Sequence, residues 1–282
     1  MRINMEYRII GDSCLDLLKE DRKKEYLCTV PLTIMLDDET FIDDESFNQK
    51  MFIEKVANSP NCPKSSCPTP ELFMEQFDLA DECYVITLSS KLSGSYNSAC
   101  LAKQLYEEEH EGKQIHIFDS KSASSKQTLI YKKIEELKQK GCTFEEVVEQ
   151  VEAYIADTET MFVLESLEAL RKNGRLSKVK ALVATALNIK PLMGADSEGN
   201  IIQLGQARGV NKALQKLIDS IGEKKQDIKN RRLVIAHCNC ESRAKWVKEQ
   251  IEKVYEFAEI IIVETAGIST LYASDGGIIV AF

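Results

Sequence analysis

A chain of 282 residues with 44% apolar and 29% charged residues is long enough for two globular domains and has the composition of a folded protein. Its formal net charge of -9 argues against nucleic acid or an anionic membrane as partner, since both need clustered Lys and Arg. No run of about 18 apolar residues exists, and the opening MRINMEYRIIGDS lacks the apolar core of a signal peptide. The expectation is therefore a cytoplasmic protein with no integral membrane association.

Residues 6–10 read as a short strand that runs into Gly11-Asp12-Ser13-Cys14, where Asp12 and Ser13 are placed to cap residues 15–19. Residues 26–36 form a second strand region, interrupted by Pro31, as suits a sheet edge or a bulge. A turn at residues 37–40 follows. Asp43, Asp44 and Glu45 then precede a helix over residues 47–57, where negative charge complements the dipole. The loop SPNCPKSSCPTP, residues 59–70, carries four prolines and the hydroxyls of Ser65, Ser66 and Thr69. Two readings fit it: a rigid loop that presents binding groups, or an ordinary proline connection.

The stretch LSSKLSGSY, residues 88–96, sits where the apolar strand at residues 84–88 ends and a helix over residues 97–109 begins, with Leu101, Ala102 and Leu105 at helical spacing. Hydroxyls, a glycine and free N–H groups at such a junction suit an anion beyond the carboxyl end of a strand. Ser93 or Ser95 acting as a plain N-cap is the competing reading. A second hydroxyl-loaded strand end, DSKSASS at residues 119–125, follows the strand at 114–118. A helix over 126–140 stops at Gly141, and Thr143 with Glu146 forms a capping box for the next helix. This strand–helix alternation implies a parallel sheet covered by helices.

The pattern changes near residue 160. A strand at 160–164 and a short helix at 167–173 are closed by Gly174. Ser177 is placed to cap a helix through 187. Residues 189–193 and 200–206 flank the turn Asp196-Ser197-Glu198-Gly199 as a hairpin. A helix at 211–221, a strand at 233–237, a helix at 242–254, a strand at 259–264 and a terminal strand at 276–282 complete the chain. The fold class expected is α/β in two domains: residues 1–159 around a parallel sheet in three layers, and residues 160–282 around a mixed sheet.

The nine cysteines show no Cys-x-x-Cys pair, and an odd number does not make a disulfide framework. Cys238 and Cys240 beside His237 offer three ligands, one short of the usual zinc set, so free thiols are expected and neither a metal nor a cofactor. His110, His116 and His237 lie in a helix end and two strands and form no visible acid–base constellation, and no phosphate-binding glycine motif is present. Hydroxyl-rich strand ends plus two arginines in polar turns, Arg175 and Arg208, describe a cleft for a small anionic or carboxylate ligand between domains.

Several segments, in order along nearly the whole chain, resemble the DegV family, bacterial fatty-acid-binding proteins that include the binding subunit of fatty acid kinase. They are Asp12-Ser13, Val30-Pro31-Leu32, Ser65-Ser66-Cys67-Pro68, the run from Ser89 to Tyr96, Asp119-Ser120, Asn173-Gly174-Arg175-Leu176-Ser177, Asn188-Ile189-Lys190-Pro191, and Arg208 before Lys212-Ala213. The resemblance implies a long-chain fatty acid in a buried tunnel, its carboxylate held at the domain cleft. The implied ligand-binding residues are Ser65, where the family usually has Thr, with Ser66, Ser93 and Gly94. Cys67 replaces the family's Gln. Tyr272 stands where the family resembles His-x-Gly-Pro-Gly, and is the largest departure. The resemblance also implies a non-catalytic binding protein and, as partner, a separate ATP-dependent fatty acid kinase that forms the acyl phosphate for phospholipid metabolism. Arg175 and Arg208 then face that partner or the developing phosphate, or are solvated arginines. The alternatives are a serine-dependent acyl hydrolase and a carrier of another apolar carboxylate.

Overall fold

A computed structural model describes residues 5–177, 179 and 188–282. The first part of the chain holds β1 (Met5–Asp12), β2 (Leu27–Val30), β3 (Thr33–Leu36), β4 (Glu39–Ile42), α1 (Gln49–Asn58), β5 (Lys64–Ser66), α2 (Pro70–Phe77), β6 (Ala80–Thr87), α3 (Ser95–Glu109), β7 (Gln114–Asp119), α4 (Ser125–Gln139) and α5 (Phe144–Asp157). The rest holds β8 (Thr160–Val163), α6 (Glu168–Lys172), β9 (Ile189–Ala195), β10 (Ile201–Arg208), α7 (Val210–Lys224), β11 (Arg232–His237), α8 (Glu241–Val254), β12 (Glu259–Glu264), α9 (Gly267–Ala273) and β13 (Ile278–Ala281).

Strands β2-β1-β6-β7 form a parallel sheet. Its strands are apolar on both faces because both are covered. Ile130, Tyr131 and Ile134 of α4 pack on one face with Val147 and Val151 of α5. Phe73 and Phe77 of α2 pack on the other with Ala99, Ala102 and Tyr106 of α3. The chain leaves β1 toward β2 but β6 toward β7, so the crevice between the carboxyl ends of β1 and β6 is the switch point, where α/β sheets bind ligands.

The later strands form a mixed sheet in the order β10-β9-β8-β13-β11-β12, in which β11 and β12 are parallel and the other pairs antiparallel. Helices α7 and α8 cover one face through Leu214, Leu217, Ile218, Val247 and Ile251. On the other, Leu129 of α4 packs among Val234, Ala236, Ile261 and Val263. Thus α4 lies between the two sheets and belongs to the cores of both.

Several local expectations change. Pro31 does not bulge one strand but ends it: β2 is the edge of the parallel sheet, while β3 joins a small antiparallel sheet with β4 and β5. Two of those strands, β4 and β5, lie in stretches read as turn and loop; they are too short for alternation to show. Asp12 and Ser13 start no helix, and residues 15–19 are irregular. Asn48, not the acidic run, caps α1 by accepting the Met51 N–H at 3.0 Å. Leu101 and Leu105 are 45% and 37% exposed, and α3 buries Ala99, Ala102 and Tyr106 instead. Helix α9 lies in a stretch assigned no element. The helix expected after Ser177 falls outside the described residues. The capping box of Thr143 and Glu146 and the Gly141 stop stand as read, and the hairpin read over 189–193 and 200–206 forms with its strands running on to Ala195 and Arg208.

Candidate functional site

Asp12 ends β1 at the switch point, with none of its surface exposed. Its carboxylate accepts four hydrogen bonds: from the Leu88 N–H (2.8 Å), the Ser95 hydroxyl (2.7 Å), the Gln127 amide (2.9 Å) and the Cys14 N–H (3.2 Å). Burial pushes its pKa up while these donors pull it down. The contacts fasten both ends of the serine-rich turn after β6 to the end of β1. Within the turn, Ser93 Oγ accepts the Ser95 N–H at 3.2 Å, a local turn bond. Ser95 opens α3, so its hydroxyl belongs to Asp12 and leaves Ser93 and Gly94 at the surface of the turn.

The proline loop packs onto this turn. The Ser98 hydroxyl donates to the Pro68 carbonyl at 2.7 Å, and a Cβ placed on Gly94 would lie 3.1 Å from Cys67 Sγ. Gly94 thus allows a close approach that a side chain would hinder. Strand β5 pairs Ser65 with Ile34, a core residue of β3, which turns the Ser65 side chain inward and leaves Ser66 exposed. Inside, Ser65 Oγ meets Tyr272 Oη of α9 at 2.8 Å. The Tyr272 pKa is raised, first by burial, against the lowering effects of Ser65 and Arg175, so the phenol keeps its proton at neutral pH. The Arg175 guanidinium lies 5.4 Å from the centre of the Tyr272 ring. Its Nε donates to the Leu92 carbonyl at 3.0 Å and its Nη1 to the Asn173 carbonyl at 2.8 Å. Asn173 in turn donates to the Pro63 carbonyl at 3.0 Å.

Ser65, Tyr272 and Arg175 therefore meet at one polar patch, and the Arg175–Leu92 bond and the Gly94–Cys67 approach set the turn of Ser93 and Gly94 beside it, with Ser66 exposed next to Ser65. Arg208 is exposed at the far end of β10, opposite Ile189, and among the described residues no hydrogen bond or ion pair joins it to this patch.

Behind the patch lies an apolar cavity that opens to solvent, with about 730 Å³ of empty space when its opening is included. Its lining includes Leu88, Leu92, Phe162, Leu164, Leu170 and Ile279, with Arg175 and Tyr272 among the wall residues. Hydroxyls in the wall are occupied elsewhere: Ser122 donates to Thr160 Oγ1 at 2.9 Å, Ser124 to Asp16 at 2.5 Å, and Ser269 Oγ sits 3.6 Å from Cys14 Sγ. With the polar atoms paired, the surface offered to an occupant is hydrocarbon. The wall residues come from strands of the mixed sheet, from the segments that follow β1, β6 and β7, and from α9, so no single stretch of sequence announces them.

No His approaches Ser65 or Ser93 among the described residues. His110 stacks on Tyr106, His116 meets Glu152 at 2.9 Å, and His237 Nδ1 accepts the Cys240 N–H at 3.3 Å. All nine cysteines are free, and no group of His, Cys, Asp or Glu among the described residues is arranged to hold a metal ion. Cys238 is buried and Cys240 half-buried. No described helix is long and apolar enough to cross a membrane.

Fold and site together define an α/β protein with an apolar cavity between its two main sheets and a polar patch at one side of it. The chain belongs to the DegV family: the family model, described as that of uncharacterised DegV proteins, matches residues 6–282. A DegV domain-containing protein of Streptococcus pneumoniae is 35% identical over 280 residues, with 99% of each chain covered. A DegV family protein from Ruminococcus gnavus, solved with vaccenic acid, is 48% identical with a TM-score of 0.96, over 99% of this chain and all of that one (100%). The fatty acid kinase (Fak) B3 protein of Streptococcus pneumoniae, loaded with linoleic acid, is 34% identical with a TM-score of 0.90, over 99% of both chains.

Proposed function

We propose that this protein binds a long-chain fatty acid, with the acyl chain in the cavity and the carboxylate at Ser65, Ser93, Gly94 and Tyr272, and with Ser66 at the rim. The observation that carries the reading is an apolar cavity beside a polar patch of hydrogen-bond donors. The vaccenic and linoleic acids in the two solved relatives support it.

The energetics agree. Burying a methylene is worth about 0.8 kcal/mol, so a chain of about fifteen carbons offers ~12 kcal/mol gross. A hydrogen bond to a charged acceptor adds about 1.5–3 kcal/mol net. The tail supplies affinity and the patch selects the head group. Arg175 has its Nε and Nη1 engaged with backbone carbonyls and lies over Tyr272, so in this reading it shapes the head-group site from within and adds positive potential.

In this reading the protein is non-catalytic, takes no cofactor, and presents the carboxylate to a separate ATP-dependent kinase in the cytoplasm. The kinship to Fak B3 supports that partner. Residues 1–159 and 160–282 serve as the two domains whose cleft holds the head group. Acyl hydrolysis by Ser65 or Ser93 is the weaker reading, since a serine without a base is a poor nucleophile.

Denaturing extraction of the purified protein, followed by mass spectrometry, tests the ligand. A stoichiometric fatty acid is expected; an empty protein that also refuses added fatty acid overturns the reading. Incubating the loaded protein with ATP and a fatty acid kinase should yield acyl phosphate, and the protein alone should leave an acyl ester intact.

A further inference from the structure

Helix α9 carries Tyr272 to the polar patch and Ser269 to the cavity wall. It is seven residues long, and no side chain of its N-cap residue, Ala266, closes its first turn. A helix this short has no stability of its own, and its leading N–H groups need partners. Those partners come from the other end of the chain. Asp43 Oδ1 accepts the Gly267 N–H at 2.6 Å and Asp43 Oδ2 the Ile268 N–H at 2.8 Å. Asp16 Oδ1 accepts the Ala266 N–H at 2.7 Å. Asp16 and Asp43 are 0% and 3% exposed, so neither is a solvated acid that happens to lie near.

We propose that Asp43 is a positioning residue for the head-group site. By holding the first amides of α9 it sets the Tyr272 hydroxyl against Ser65, and so sets the preference for a carboxylate over an uncharged head. This rests on the fatty-acid reading above.

The two aspartates differ in what they require. Asp43 uses one oxygen for each of two N–H groups, a job only an ionised carboxylate can do in full. Asp16 gives one oxygen to an N–H and the other to the Ser124 hydroxyl. A hydroxyl can reverse its role, so a neutral side chain of the same shape serves at Asp16. Gly267 confirms how tight the Asp43 contact is: a Cβ there would lie 2.6 Å from Asp43 Oδ1. The acidic run thus anchors the helix that holds Tyr272, at a distance of more than 200 residues in sequence.

The test compares palmitic acid with 1-hexadecanol, equal in chain length but uncharged at the head, on the full-length protein at pH 8. The wild type should prefer the acid, and Tyr272→Phe should reduce the acid-to-alcohol affinity ratio about tenfold. Asp43→Asn should reduce that ratio by a similar factor, roughly tenfold, with alcohol affinity little changed, while Asp16→Asn leaves the ratio near the wild-type value. An Asp43→Asn protein that keeps the wild-type ratio, or loses both ligands equally, overturns the positioning role. A wild type without preference, or a Tyr272→Phe protein that keeps it, shows instead that the head-group reading has failed, and this inference falls with it.

Should Asp43→Asn not fold, Gly267→Ala displaces the same carboxylate and is read the same way. Hydrogen exchange on the wild type gives a check without mutation. Palmitate should slow exchange at Gly267 and Ile268; unchanged rates there overturn the proposal.

Discussion

Two strand ends in this protein carry nearly the same residues and come to rest in opposite surroundings. LSSKLSGSY follows β6 and DSKSASS follows β7, and both read as hydroxyl-rich candidates for an anion site. After β6, Asp12 claims Ser95 and Leu88, and the turn is left with Ser93 half-buried and Gly94 exposed beside the proline loop. After β7, Ser120, Ser122, Ser124 and Ser125 are all 5% exposed or less. There Ser122 pairs with Thr160 and Ser124 with Asp16, and the segment lines the cavity as hydrocarbon. In the proposed reading a strand-end serine serves as a binding group where the tertiary structure leaves it at the surface of a turn, and as a packing group where it is buried.

The largest effect should come from the cavity itself. Ala195 lines it on the same side of β9 as the core residue Met193. Ala195→Phe should displace several methylenes and weaken a sixteen-carbon acid about 100-fold, with a smaller loss for a ten-carbon acid. Equal losses for both would mean that the acyl chain does not occupy this wall.

Next comes the head group. Ser65→Ala should weaken palmitate about tenfold by removing one donor to a charged acceptor and the partner of Tyr272. Hexadecanol affinity should hardly move. A titration with both ligands checks this, and an equal loss would move the carboxylate away from β5.

A pH experiment then probes the buried acids behind the site. Burial raises the Asp16 pKa to about 7 and that of Asp43 to about 6, against donors that lower them. The folded-state values exceed the ordinary 3.8, so the native protein keeps protons that the unfolded chain has lost. Their stabilising contribution is full below about pH 4 and disappears as pH rises through 6 and 7. Asp16→Asn removes that titration. Relative to wild type, its unfolding free energy should therefore rise by about 1 kcal/mol per pH unit between pH 5 and pH 7. Parallel urea curves at each pH would show it, and a constant difference would mean that Asp16 is not protonated in the native state.

The smallest effect sharpens the contrast between the two strand ends. Ser122→Ala should cost about 1 kcal/mol of stability through its lost bond to Thr160, yet change palmitate affinity less than about twofold. A tenfold loss of affinity would give the two serine-rich turns the same role after all.

Apolar patterning marks β1, β6, β7, β11, β12, α7 and α8, because each buries one face or both over enough residues for the pattern to register. Local chemistry places the Gly141 stop, the capping box at Thr143 and the hairpin at Asp196–Gly199, since those signals depend on neighbours in the chain. Motif order along the chain carries the family and, with it, the proposal of Ser65, Ser93, Gly94 and Tyr272 as ligand contacts. Contacts across the sequence decided the rest. Asp43, read as complementing the dipole of its own helix, and Asp12, read as a local cap, reach across to α9 and α3, because a buried carboxylate goes to whichever donors the fold leaves without partners. β3, β4 and β5 exist by pairing with one another, and Leu101 is exposed because α3 turns the face of Ala99, Ala102 and Tyr106 to the sheet. The cavity is set the same way: its walls come from the mixed sheet, α9 and the segments that follow strands of the parallel sheet, and whether a serine there faces the cavity or another side chain is settled by what packs beside it.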